Sequence, residues 1–127
     1  MKYNENGQAM PDYTIAMEKE AFGSSDDTKI YWLGNAGAMI NTHGTTLMID
    51  PVLSGFDMPL LIEMPIEEAK VPHLDGILLT HCDNDHYGRK TCKELAPITD
   101  SFHAPHYVAQ LLKDELNIDG IGHDIQE

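Results

Sequence analysis

The chain has 127 residues, which is enough for one domain with a hydrophobic core of its own. Its formal net charge of -13 arises from 21 acidic residues against 8 lysines and arginines. Nucleic acids and anionic membrane surfaces are bound through basic side chains, so this charge disfavours both partners. No apolar run approaches the roughly 20 residues of a transmembrane helix. The N-terminus is polar and lacks a signal-peptide pattern, which predicts a cytoplasmic protein.

The first 28 residues are predicted to form an N-terminal extension. Residues 12–22 favour a short helix, with Asp12 as its N-cap. The Gly-Ser-Ser-Asp-Asp run at residues 23–27 then interrupts the pattern and is typical of a linker. We therefore expect the domain that carries the function to occupy residues 29–127.

A β-hairpin that leads into a buried strand is predicted over residues 30–49. Its first β-prone run is interrupted by a Gly-rich bend that contains Asn35. Pro51 cannot donate a backbone hydrogen bond to a sheet, so the last of these strands is expected to end at Asp50. Residues 52–73 then form a long connection with one helical turn, and loops of this length are often functional.

Strands and helices alternate in the rest of the sequence. Residues 76–80 are a short apolar run, as expected of a strand that is buried on both faces. A helix is predicted over residues 87–95, a brief strand over 101–103, a helix over 105–116 and a last strand from Ile121. This alternation predicts a fold of the α/β class.

Four metal-competent side chains directly follow the predicted strand 76–80: His81, Asp83, Asp85 and His86. Zinc ligands lie about 2.0–2.3 Å from the ion, so ligating side chains have to converge on one point. A turn just past a strand can aim alternate side chains at one ion, and the adjacent His86 can then reach a second ion. The alternative is a polar turn in which Asp85 caps the following helix. We favour the metal site, because a buried strand rarely ends in such a cluster without using it.

These residues resemble a known family. The run Thr80-His81-x-Asp83-x-Asp85-His86 is similar to the T-H-x-H-x-D-H motif of the metallo-β-lactamase superfamily. The upstream runs 32–37 and 47–51 resemble its opening hairpin and its first Asp motif. The resemblance implies an αββα sandwich, of which residues 29–127 supply about one αβ half. The arrangement is most similar to the branch that contains the ascorbate-phosphate lactonases.

The resemblance also implies a divalent metal centre with one or two ions, either zinc or manganese, with iron as a further option. His81 and Asp83 would bind one ion, and Asp85 and His86 the other. Asp50 would lie beside them, where it would order the loop or touch a ligand, and it is a candidate catalytic residue together with Asp85, which would orient the attacking water or accept its proton.

Two departures from the family's pattern shape these expectations. Asp83 stands where the family has its second histidine, and diiron flavoproteins of the same superfamily also carry a carboxylate there. The family's later ligands come from the second half of the fold, whereas this sequence ends at Glu127. We therefore expect that the second half is missing, or that a partner such as another copy of the chain completes the site.

Three functions remain open on the sequence. We favour metal-dependent hydrolysis of a small, non-nucleic substrate, and the resemblance implies a lactone or a related ester. The second function is that of a diiron or dimanganese redox enzyme, which Asp83 favours. The third is a non-catalytic half-domain that serves as an interaction module.

Overall fold

A six-stranded mixed sheet forms the centre of the protein, in a computed structural model that describes residues 1–126. A small antiparallel pair, β1 (Lys2–Tyr3) with β2 (Ala9–Met10), precedes it in the chain. The strands of the main sheet are β3 (Thr28–Trp32), β4 (Ala38–Thr42), β5 (Thr45–Ile49), β6 (Gly76–Leu78), β7 (Phe102–Pro105) and β8 (Ile121–His123). They lie side by side in that order, antiparallel from β3 to β5 and parallel from β5 to β8. The carboxyl ends of β5 to β8 therefore meet at one edge of the sheet.

The predicted hairpin and the later alternation of strands and helices are confirmed. The apolar run 76–80 forms β6 over a shorter span, although the Leu79 amide still donates to the His103 carbonyl at 2.8 Å. The two α-helices are α1 (Arg89–Leu95) and α2 (His106–Leu116), within two residues of the predicted starts and with the predicted ends. Short 3-10 turns at Lys19–Phe22, Glu68–Lys70 and Ala96–Ile98 complete the regular structure of the described residues.

Both helices pack on the same face of the sheet. That face presents side chains such as Met39, Met48 and Ile77, none of which has any exposed surface. Cys92 of α1 and Leu112 of α2 belong to the same hydrophobic cluster. The predicted α/β architecture, with one layer of helices on one face of the sheet, is therefore confirmed.

The opposite face of the sheet is apolar and open. Strand register places Ile30 beside Ile40 and Ile40 beside Leu47, while Trp32, Ala38, Ile49 and Leu78 form a second row. Ile30 and Trp32 are 72% and 66% exposed. Parallel strands are normally covered on both faces, so a face of this composition is what half of a layered sandwich leaves open.

The helix predicted over residues 12–22 is wrong for most of its length. Only its last four residues form a 3-10 turn, Lys19–Phe22, and Asp12 pairs with the N-terminal amine at 3.1 Å instead of capping a helix. The preceding residues run extended, because the Met17 amide donates to the Pro65 carbonyl and the Thr14 hydroxyl donates to the Glu63 carbonyl. These long-range hydrogen bonds, together with burial of Met17, outweigh the local helical preference.

The division into an extension and a domain stays a prediction. Strand β3 begins at Thr28, one residue before the predicted boundary, while Met17 of the extension packs into the main core. The last residue of the predicted domain, Glu127, lies outside the described residues. Over residues 1–126, no helix has both the length and the apolar character needed to cross a bilayer.

A buried carboxylate fixes the connection that follows β5. Glu68 accepts hydrogen bonds from the hydroxyls of Ser54 and Thr91, and Thr91 Oγ1 in turn accepts the Leu53 amide at 2.9 Å. Burial on its own raises the pKa of Glu68, but these hydroxyl and backbone hydrogen bonds, with the nearby Lys90 charge, hold it below its ordinary value. The network therefore ties residues 53–54 to α1.

We expect Glu68→Gln to lower the free energy of unfolding at neutral pH by about 1 kcal/mol, because hydrogen bonds to a charged acceptor become neutral ones. A carboxylate with a lowered folded pKa stabilises the protein above its unfolded value of 4.5, and that contribution is lost as the pH falls through the folded pKa. The deficit of the variant should therefore shrink below pH 4.5 in urea titrations at a series of pH values.

Glu67→Gln is the matched control, because Glu67 is exposed and adjacent. It should leave stability within about 0.5 kcal/mol at every pH. A Glu68→Gln deficit that is constant between pH 7 and pH 3 would contradict a charged role for this carboxylate.

Candidate metal centre

Asp50 lies at the carboxyl-terminal edge of the sheet, directly after β5, in a conformation that few residues adopt. Its φ of 47° is left-handed, a region in which aspartate is several-fold enriched among non-glycine residues. Two glycines make room for this bend. A Cβ on Gly37 would lie 2.8 Å from the Asp50 carbonyl oxygen, and a Cβ on Gly88 would lie 2.7 Å from that of Pro51. The bend turns the Asp50 side chain toward the end of β6.

The Asp50 carboxylate receives three hydrogen bonds there. Its Oδ1 accepts the backbone amide of Thr80 at 2.7 Å, and its Oδ2 accepts the Thr80 hydroxyl at 2.6 Å. The same Oδ2 lies 2.9 Å from Nδ1 of His86. The side chain is 4% exposed, so these donors replace the water that the carboxylate loses on burial.

These contacts set the orientation of both histidines. A carboxylate only accepts hydrogen bonds, so we assign the proton of His86 to Nδ1. Because the Thr80 hydroxyl donates to Asp50, its oxygen accepts from His81 Nδ1 at 2.8 Å. Both imidazoles are thus protonated on Nδ1 and keep the lone pair of Nε2 for a ligand. A carboxylate behind a histidine in this manner is the usual support for a metal-binding imidazole.

Each histidine faces one of the predicted carboxylates across its Nε2 atom. His81 Nε2 lies 3.4 Å from Asp83 Oδ2, and His86 Nε2 lies 3.6 Å from Asp85 Oδ2. Two ligands of one tetrahedral zinc ion stand about 3.3–3.6 Å apart, given bonds of about 2.0–2.2 Å. Both pairs therefore have the spacing of ligands that share an ion, and imidazole with carboxylate is a suitable donor set for zinc, manganese or iron.

The four predicted ligands do not all meet at one point. The two imidazole rings are adjacent, with centroids 4.0 Å apart, while both aspartates are largely exposed to solvent. Asp50, His81 and His86 form the tighter group, with one ligand atom of each within 4.8 Å of the others. Since three hydrogen bonds already engage both Asp50 oxygens, we assign Asp50 to positioning the histidines rather than to binding an ion.

The turn that carries these residues is held from two sides. The Asn35 side-chain amide donates to the Asp85 carbonyl at 2.9 Å, as a polar group from the Gly-rich bend. On the other side, the Tyr87 hydroxyl and the Arg89 guanidinium both donate to Glu115 of α2. Burial and then the Glu115 charge raise the pKa of Tyr87, so this phenol stays neutral and donates its proton. The residue after His86 is thereby fixed to α2.

The alternative role of Asp85 as a helix cap is wrong. Helix α1 begins at Arg89, its N-cap residue is Gly88, and no side chain caps it. The Asp85 carboxylate instead lies beside His86. The polar turn is therefore not explained by helix capping.

Sequence reasoning missed the role of Thr80 and the Glu115 contact. Thr80 belongs to the recognised motif, and its position between a buried strand and a histidine was the available signal. Its hydroxyl connects Asp50 to His81. No local signal marks Glu115, because its partners Tyr87 and Arg89 lie 28 and 26 residues away in the sequence.

These residues lie in a segment of the chain that is similar to a known protein family. A family model described as "Metallo-beta-lactamase superfamily" matches residues 31–117. A metal-dependent hydrolase of Ruegeria sp. (strain TM1040) is 41% identical over 58 residues, which are 46% of this chain and 24% of that relative. A counterpart from Anoxybacillus flavithermus is 38% identical over 60 residues, 47% of this chain and 24% of the relative. The matched segment thus spans about a quarter of the length of these relatives.

Solved structures share the fold. CmlA, a diiron beta-hydroxylase from Streptomyces venezuelae, superposes with a TM-score of 0.63 at 21% identity, over 82% of this chain and 22% of that one. Igni18, a metallo hydrolase from Ignicoccus hospitalis, gives a TM-score of 0.55 at 19% identity, over 79% and 41% of the two chains. The predicted fold class is confirmed, including the contribution of only part of the sandwich.

We expect Asp50→Asn to weaken metal binding about 10- to 100-fold, because an amide nitrogen cannot accept the proton of His86 Nδ1 and the ring loses its fixed orientation. Isothermal titration with Zn²⁺ would measure the change in Kd, and circular dichroism would check that the fold persists. Asp27→Asn, an exposed site before β3, is the control and should bind as the wild type does. Equal affinity of Asp50→Asn and wild type would refute the positioning role.

Proposed function

Because the chain belongs to the metallo-beta-lactamase superfamily, we propose that it forms part of a metal-dependent hydrolase that acts on a small, non-nucleic substrate. The observation that carries this proposal is the pairing of each Nε2 atom with a carboxylate, His81 with Asp83 and His86 with Asp85, at 3.4 and 3.6 Å. Relatives that match 46% and 47% of the chain are named metal-dependent hydrolases, which supports the same reaction class.

Each residue of the candidate centre has a separate role in this proposal. His81 and Asp83 would hold one divalent ion, and Asp85 and His86 would hold a second. Bound ions supply a Lewis acid and lower the pKa of a coordinated water toward neutrality. Asp85 would orient the attacking water or accept its proton, and Asp50 keeps His86 in the tautomer that leaves Nε2 available.

A lactone or a related ester is the substrate that we propose. A small substrate agrees with the charge of -13, since a polyanion such as DNA or RNA would be repelled. The cytoplasm is the proposed location. The proposed partner is either a second half of the fold or another copy of the chain. Either would cover the open apolar face with Ile30 and Trp32, and a large exposed apolar face is typical of an interaction surface.

A redox reaction is the second candidate, and Asp83 is the observation that favours it. A carboxylate in place of imidazole adds a hard oxygen donor and a negative charge, which shifts the preference toward manganese or iron. CmlA, which has this fold, is a diiron enzyme. Bound metal identity and consumption of dioxygen distinguish the two candidates.

We expect the protein, once a second half of the fold or a partner copy completes the site, to contain up to two divalent ions per chain and to hydrolyse phenyl esters or γ-lactones. Removing the ions with a chelator should abolish hydrolysis, and adding Zn²⁺ or Mn²⁺ should restore it. Mass spectrometry of bound metals and a spectrophotometric assay would measure both. Metal-dependent consumption of dioxygen without hydrolysis would favour the redox candidate, and a protein that binds no ion would exclude both.

We expect Asp83→His to shift the metal preference toward zinc while keeping the total metal content, since imidazole is the softer donor. Asp83→Ala should lose one ion and most of the hydrolysis, because one ligand fewer loosens the ion and displaces the water. Elemental analysis after dialysis against equal concentrations of Zn²⁺ and Mn²⁺ would measure both variants. Unchanged metal content in Asp83→Ala would show that Asp83 serves only to shape the turn.

A further inference from the structure

A cavity of about 480 Å³ opens beside the candidate metal centre, next to Asn84 and Asp85. It lies between the turn that carries these residues and the connection after β5. Its volume falls in the range of about 300–1,000 Å³ that is typical of small-molecule sites. The cavity therefore has the size and position of a substrate pocket for the reaction proposed above.

The wall of the cavity that is formed by the loop after β5 is largely apolar. Phe56, Met58 and Leu60 line it from the loop after β5, and Met58 and Leu60 remain 65% and 41% exposed. Large side chains exposed at the mouth of a cavity gain free energy when an apolar ligand covers them. The Glu68 network described above fixes the base of this loop at Leu53 and Ser54.

The two cations at the cavity are already paired. Arg89 binds Glu115 through Nε at 2.6 Å and Nη2 at 3.3 Å, and its Nη1 donates to Asn84. Lys90 lies 3.0 Å from Glu94 and donates to the Ser54 hydroxyl at 2.7 Å. Among residues 1–126, the lysine and arginine that line the cavity are therefore each matched by a carboxylate, so they add no net positive charge to it.

A carboxylate stands on the apolar wall itself. Asp57 lies between Phe56 and Met58, and the contact recorded for its side chain is a long hydrogen bond from Asn84 Nδ2, at 3.5 Å. An anionic group that entered this end of the cavity would meet the like charge of Asp57, and the paired Arg89 and Lys90 add no net positive charge to offset it. Repulsion of that kind selects against anionic ligands more than it favours any one neutral ligand.

We propose that this cavity binds an apolar chain of the substrate, and that it selects chains without a charged terminus. This inference rests on the proposed function for the reaction, but the binding preference can be tested without it. By the same argument, a substrate with a terminal phosphate or carboxylate binds more weakly than its uncharged counterpart.

Two matched pairs of compounds test the proposal. Phenyl hexanoate and monophenyl adipate have the same leaving group and chain length, and they differ by a terminal methyl or carboxylate. Their anilides, N-phenylhexanamide and adipic acid monoanilide, serve as binding probes in the metal-free protein. We expect N-phenylhexanamide to shift the backbone amide NMR signals of residues 56–60 and 84–89, and the monoanilide to bind at least about tenfold more weakly.

Asp57→Lys should reverse the preference by about tenfold or more, because it replaces a repelling charge with a free cation. Asp26→Lys makes the same change of charge at an exposed site before β3 and should leave the preference unaltered. The wild-type protein alone can overturn the proposal. It does so if the two anilides bind equally well, or if the NMR signals that shift belong to residues outside 56–60 and 84–89. Selective anilide binding without hydrolysis of either ester would support the pocket and refute the hydrolase.

Discussion

The buried carboxylate of Asp50 is the constraint on which the rest of the site depends. With 4% of its surface exposed, it would be strongly destabilising without donors, and its donors come from Thr80 and His86 beyond the neighbouring strand. The position of both histidines is therefore set by the register of β5 on β6, where Ile49 pairs with Leu78. A shift in that register would separate Asp50 from Thr80 and leave a buried charge without its partners. The register of the parallel strands and the geometry of the site therefore depend on each other.

Glu68 acts on the neighbouring loop as Asp50 acts on the motif. Each is a buried acid that receives hydroxyl donors from another segment, Thr80 for Asp50 and Ser54 with Thr91 for Glu68. A satisfied buried carboxylate specifies geometry, because any other arrangement leaves a charge in a poorly solvated place. One carboxylate therefore orders the two histidines of the candidate metal centre, and the other orders the loop beside the cavity. The cavity lies between these two ordered segments.

Secondary structure that is determined by residues close together in the chain could be predicted from the sequence. The apolar run 76–80, the amphipathic run 105–116 and the dense polar motif after residue 80 each form the predicted element or turn. The extended backbone found in place of the helix predicted over residues 12–22 could not be predicted from the sequence. The amide of Met17 and the hydroxyl of Thr14 donate to acceptors about 50 residues away. The same limit applies to Asp50. Its proximity to His86 follows from the pairing of β5 with β6, and a motif alone does not encode whether its oxygens hold an ion or a histidine.

The two histidine–carboxylate pairs are not equally prepared to bind an ion. His86 is held directly by Asp50 and has a side chain that is 26% exposed, whereas His81 is held through the Thr80 hydroxyl and is 44% exposed. A ring with a charged partner and less solvent around it loses less rotational freedom on binding, and water competes less with its ligand. The pair of His86 with Asp85 is accordingly the better preorganised half of the centre. Asp83, the departure from the family's pattern, belongs to the other pair, His81 with Asp83. Because His81 is less firmly held, we expect the type of donor atom at position 83 to have a larger effect on which ion this pair prefers.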